Sequence, residues 1–177
     1  NLVAYKNSDH KVVYAWFDNS EKTPFSRGQH ISDAPDSLDV ISMMYPAELA
    51  AFELVDMQTV HAKGTKVVYT ISFDKIQKEY TEKVKEGTET GSFDTYLKSE
   101  MDKQIGYAGS FDGMITEYKG NNPIYMSAEQ KAEAKKYQDI FFSAVLTWKT
   151  ANADKLLTFQ GYPENLIEQT ILTNCKH

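Results

Sequence analysis

The chain has 177 residues, 19 basic and 25 acidic, for a net charge of −6. That length suits one domain with a substantial core, and the lack of any basic run argues against nucleic acid as a partner. No apolar run nears transmembrane length, Cys175 has no second cysteine to pair with, and His10, His30, His61 and His177 lack metal-ligand spacing, so neither a metal nor a cofactor is expected.

The opening Asn1-Leu2-Val3 reads as an internal cut rather than a signal peptide. A first strand is predicted over 11–17, closed by the turn formers Asp18-Asn19-Ser20. The polar connection 21–36 carries Pro24, Gly28 and Pro35 and little helical periodicity, so its crossover helix is short or absent. A second strand covers 38–45. Pro46 suits the first turn of a helix over 47–62, which Gly64 ends. Residues 66–73 form a third strand, β-branched and almost continuously apolar, as buried parallel strands are. Two helices follow, over 74–85 and 92–107, separated by an exposed loop between Gly87 and Gly91; Ser92 is the N-cap of the second.

The fourth strand, 110–118, carries the chemistry. It contains Phe111-Asp112-Gly113-Met114-Ile115-Thr116-Glu117-Tyr118, followed by Lys119. This stretch resembles the active-site strand of the family 18 glycoside hydrolases, the chitinases and endo-β-N-acetylglucosaminidases. Their signature is Asp-x-x-Asp-x-Asp-x-Glu, with Gly after the first Asp, on the fourth strand of a (β/α)8 barrel. Asp112 and Gly113 match. Ile115 stands at the second Asp, Glu117 at the third, and Lys119 at the terminal Glu.

The resemblance implies a degenerate motif with no catalytic residue. In that family the substrate's acetamido group attacks the anomeric carbon while an enzyme acid protonates the leaving oxygen. A carboxyl can cycle its proton near neutral pH, whereas a lysine has a reference pKa of about 10.4 and opposes a cationic transition state. Alternation places 115, 117 and 119 on one strand face. Successive same-face residues lie roughly 6.6 Å apart, so Glu117 sits a step too deep to replace the acid. A plain ion pair between Glu117 and Lys119 accounts for the two residues equally well. Asp112, at the strand's start, is better suited to holding loop backbone than to touching a ligand.

Beyond this strand, Ser127 with Gln130 forms a capping box for a long helix to 152, carrying Ile140, Phe141, Val145 and Trp148 at helical spacing. A fifth strand over 155–160 and a last helix over 164–173 complete the chain. Strands alternating with helices predict an α/β fold of parallel (β/α) units in sequential order. Eight-unit barrels take about 250 residues. The expectation is therefore a single domain, 1–177, holding about five units of a truncated TIM-type barrel and forming a piece of a longer protein. Unpaired edge strands would then favour an oligomer or the missing remainder of the barrel as a partner.

Ligands of such barrels sit at the carboxyl ends of the strands. The candidate carbohydrate-binding residues there are Trp16, Tyr45, Glu117, Lys119, Gln160 and Tyr162. Trp16, Phe17 and Phe73 suit a core role better than a platform role. The resemblance implies a protein that binds a glycan containing N-acetylglucosamine, such as an N-glycan, without cleaving it. It extends to the family 18-like domains of surface lipoproteins from glycan-harvesting Gram-negative bacteria. That implies a cell-surface or periplasmic location, with membrane attachment only through a lipid anchor outside this chain. Two alternatives stand beside it: a hydrolase of altered chemistry using Glu117, and a scaffold without ligand.

Overall fold

Five apolar segments become strands in the computed structural model, which describes residues 1–176. They are β1 (Tyr14–Phe17), β2 (Val40–Met43), β3 (Lys66–Ser72), β4 (Gly113–Tyr118) and β5 (Leu156–Gly161). They form one parallel sheet in the order β1-β2-β3-β4-β5. Trp16 pairs with Ser42, and Ser42 with Val68. Sequential order is what consecutive right-handed βαβ units produce; a doubly wound sheet would reverse direction at a switch point. The architecture is thus of the TIM type, as the alternation of elements predicted. No helix among the described residues is long and apolar enough to cross a membrane.

The chain divides into two compact units. The first comprises residues 1–70 and 107–114. Its core is built from Ile41, Met43, Met57, Val60, Val67 and Tyr69, all nearly inaccessible. Each such side chain contributes about 1.5–3 kcal/mol through burial. The Tyr69 ring packs on Phe111 at 4.8 Å and Tyr107 at 6.3 Å. A short helix not expected from the sequence, α1 (Leu2–Lys6), is tied down by its last residue. Lys6 Nζ donates to the Leu38 carbonyl at 2.7 Å and to Thr65 Oγ1 at 2.6 Å.

The first two strands are shorter than predicted because side chains claim their flanks. Asp39 Oδ2 accepts from the Val13 N–H at 2.8 Å, and His10 Nε2 meets Asp39 Oδ1 at 2.9 Å. The connection from 21 to 36 forms only two 3-10 turns, Arg27–Gln29 and Ile31–Asp33, in keeping with its lack of periodicity. Helix α2 (Ala51–Ala62) begins four residues later than Pro46 suggested. The cause is Glu53, whose buried carboxylate accepts from the Ala50 N–H at 2.6 Å, from Asn19 at 2.8 Å and from Lys22 at 2.9 Å.

The second unit comprises residues 71–106 and the chain from Ile115 onward. Helix α3 (Phe73–Glu86) is capped by Ser72 and ends at Gly87, whose φ of 74° is the left-handed conformation that glycine adopts freely. Ser92 caps α4 (Phe93–Ile105), and the Ser127–Gln130 capping box opens α5 (Ala128–Ala151). The caps at Ser92 and Ser127 match the sequence reading, whereas Ser72 was read as strand and its capping role was not expected. Phe141, Val145 and Trp148 bury one stripe of α5, and Phe73 packs edge-on against Phe141 at 5.6 Å. Phe73 is therefore core, as expected, whereas Trp16 in the first unit is 53% exposed and is not.

The predicted helix over 164–173 is absent. Two 3-10 turns, Pro163–Asn165 and Thr170–Asn174, stand in its place. Long-range partners take the polar groups a helix would use. Gln138 Oε1 accepts from the Ile167 N–H at 2.8 Å, and Gln138 Nε2 donates to the Asn165 carbonyl at 3.2 Å. Past these turns, the Lys176 N–H donates to the Leu157 carbonyl at 2.9 Å, so the chain runs back along β5. His177 lies outside the described residues.

Candidate functional site at the carboxyl ends of the strands

The site grows from the alternation of β4. The Tyr118 ring packs 5.7 Å from Phe142 of α5, so Glu117 and Ile115 lie on the opposite face. Glu117 Oε1 accepts from Ser72 Oγ at 2.9 Å. Ser72 thus serves twice, since its oxygen also accepts from the Lys75 N–H as the cap of α3. Lys119 follows directly on β4, with its backbone held from two sides. Its N–H donates to Asp74 Oδ2 at 2.9 Å, and its carbonyl accepts from Asn165 Nδ2 at 2.7 Å.

The Lys119 side chain is free by comparison. Its Nζ stands 4.0 Å from Glu117 Oε1, the outer limit of an ion pair, and the side chain is 59% exposed against 18% for Glu117. The expected pairing of the two residues is thus present but loose. Such a half-exposed pair adds little stability. It does offer a ligand one ammonium with open donors and one carboxylate with open lone pairs.

Gln160 shares this face. Its neighbour Phe159 packs toward Phe142 at 6.3 Å, so alternation turns Gln160 to the side of Glu117. Gln160 Oε1 is buried and without a hydrogen-bond partner among the described residues. An acceptor left so costs about 1–3 kcal/mol, which a donor from a ligand would recover.

At the other end of β4 the motif serves structure. Asp112 Oδ2 accepts from the Val67 N–H at 2.7 Å and meets His61 Nε2 at 2.6 Å, holding the start of β3 as its position suggested. Ile115 is 1% exposed and fills core space.

Tyr162 lines a cleft of about 770 Å³ in the second unit. Phe73 and Tyr118 are also among its lining residues, with Tyr125, Tyr137 and Asn165. Glu117, Lys119 and Gln160 do not line it, although Lys119 lies in the chain between two residues that do, Tyr118 and Gly120. Gly161 lets β5 approach β4 at this point. Its φ is 151°, and a Cβ there would fall on the Tyr118 carbonyl oxygen.

The remaining candidates, Trp16 and Tyr45, belong to the first unit, where Tyr45 is 48% exposed. Asn19 fixes the Tyr45 backbone, accepting from its N–H at 2.7 Å and donating to its carbonyl at 2.8 Å. Sequence reasoning had not singled out Ser72, Asp74, Asn165 or Tyr125 as site residues. Asp74 and Ser72 were signalled by their place at the exit of β3. Tyr125 was signalled by Asn122-Pro123, which starts the 3-10 turn Pro123–Tyr125.

Sequential parallel strands in this order define a TIM-type (β/α) protein. The family model of glycoside hydrolase family 18, BT1044-like, matches residues 1–176, and the chain belongs to that family. A comparison with curated proteins gave no match. Among solved structures, an endo-β-N-acetylglucosaminidase from Cordyceps militaris, in its apo form, aligns over 98% of this chain and 56% of its own. The TM-score is 0.59 and the identity 19%. A selenomethionine Glu→Gln variant of BT1044 aligns over 99% of this chain and 58% of its own, with a TM-score of 0.63 and 16% identity. The chain therefore spans somewhat more than half the length of either protein.

Proposed function

We propose that the protein binds a glycan containing N-acetylglucosamine, of the N-glycan or chitin type, without hydrolysing it. The ligand sits at the carboxyl ends of the strands, over Glu117, Lys119 and Gln160. One observation carries this reading: the arrangement at the exit of β4. Lys119 presents an ammonium 4.0 Å from Glu117, at the position where the family motif has its acid. The two nearby carboxylates are already engaged, Glu117 with Ser72 and Asp74 with the Lys119 N–H. A hydrolase of this chemistry needs a carboxyl that gives up a proton to the leaving oxygen; a binder needs only donors and acceptors. The orphaned Gln160 oxygen supports a binder. Family membership and the likeness to an endo-β-N-acetylglucosaminidase support the ligand class.

Calorimetry with chitotetraose and with a biantennary N-glycan, run beside chromatography of the same mixtures, tests the proposal. Binding with no product is expected. Turnover that vanishes in Glu117→Gln would instead establish an altered hydrolase, and failure to bind either glycan would leave a scaffold. From the resemblance to the family 18-like domains of bacterial surface lipoproteins, we propose a location at the cell surface or in the periplasm of a Gram-negative bacterium, which fractionation of the source cells would test.

A further inference from the structure

Resting on that reading, we infer that the tyrosine-lined cleft beside Lys119 receives the sugars flanking the N-acetylglucosamine, and that it accepts neutral sugars and discriminates against acidic ones. Position comes first. Tyr118 and Gly120, on either side of Lys119 in the chain, both line the cleft, so it opens at the exit of β4, one residue from Lys119 in the chain. Asn165 strengthens that link, because it lines the cleft while its Nδ2 holds the Lys119 carbonyl at 2.7 Å. The volume, about 770 Å³, is in the range of small-ligand sites.

The lining then names the class of ligand. Tyr125, 87% exposed, and Tyr162, 55% exposed, present flat faces suited to the C–H surfaces of sugar rings. Asn121 and Gln130 add uncharged groups that both donate to and accept from hydroxyls. The charged groups that line the cleft are Glu133 and Glu164, and no lysine or arginine lines it. Lys136, whose Nζ lies 4.9 Å from the Tyr137 ring centre, is paired with Asp94 at 3.0 Å. A sugar carboxylate entering here would meet two like charges and no lining cation, whereas a hydroxyl meets the amide groups of Asn121 and Gln130.

The test uses three probes against the intact chain: chitotetraose, a galactose-terminated biantennary N-glycan, and the same N-glycan capped with sialic acid. Calorimetry should give the neutral N-glycan at least five-fold tighter binding than its sialylated form. Glu133→Gln with Glu164→Gln should bring the two within about two-fold. Tyr125→Ala should weaken the neutral N-glycan about ten-fold and leave chitotetraose within two-fold. Equal binding of the two N-glycans to the unmodified chain overturns the inference, as does a preference that persists in the double variant. If chitotetraose binds while no cleft substitution changes any affinity, the cleft is not part of the site and the general glycan-binding proposal stands. If none of the three binds, both fall.

Discussion

Lys119 divides its roles between backbone and side chain. The backbone is clamped by Asp74 and Asn165, while the ammonium reaches solvent with only a distant carboxylate beside it. Truncation to alanine keeps both clamps, so Lys119→Ala should leave the melting temperature nearly unchanged. A hydrogen bond from a charged group contributes about 1.5–3 kcal/mol, so the same variant should bind glycan roughly ten-fold more weakly or worse. Calorimetry beside a thermal melt separates the two effects. Asp74→Ala removes a clamp instead, and should lower melting temperature and affinity together. Cys175 offers a different residue-scale test. Burial pushes its thiol up to about 11, and its Sγ–H donates to the Ile171 carbonyl. A thiol pKa raised by folding means that the folded state holds the proton more tightly than the unfolded chain. The associated stability is complete below the ordinary thiol value of about 8.5 and is lost as pH rises toward 11. Urea melts across that window should show the wild type losing more stability with pH than Cys175→Ala.

Among the elements, the segment after β5 depends on one glutamine. Gln138 is 4% exposed, donates to Tyr118 Oη at 2.9 Å and to the Asn165 carbonyl, and accepts from the Ile167 N–H. Gln138→Leu leaves those buried groups unpaired, each at about 1–3 kcal/mol. A loss of roughly 3 kcal/mol is expected in denaturant melts, with faster amide exchange at Ile167. The same residue shows why the last segment misled the sequence reading. Residues 164–173 are apolar enough for a helix, but the Asn165 carbonyl and the Ile167 N–H bond to a side chain more than twenty-five positions away, which no local pattern records. The starts of α4 and α5 were legible because Ser92 and Ser127 cap through neighbours three residues on. Strand lengths were less so, since Asp39, Asn19 and Glu53 truncate elements through contacts distant in sequence.

At the scale of the whole molecule, the order of the strands was readable because every parallel pair needs a crossover, and the chain supplies one after each strand. The candidate site was readable along β4, where the motif points to Asp112, Glu117 and Lys119, and at the exit of β5, where Gln160 and Tyr162 stand. The cleft was not, because its walls come from α3, β4, α5 and the 3-10 turns after β4 and β5, joined by folding alone. The proposed binding without turnover, if it holds, affects the stability of the entire chain. A ligand that prefers the folded state at a hundred times its dissociation constant adds about 2.7 kcal/mol of stability. In a chain of this size each kcal/mol is worth roughly 2–4 °C. The recognised glycan should therefore raise the melting temperature by about 5–10 °C at that concentration. Because nothing is consumed, the shift should persist unchanged after overnight incubation at room temperature. A shift that decays with time, with a shortened glycan in the mixture, would mean that the ligand is being cut, and that Glu117 has found an acid after all.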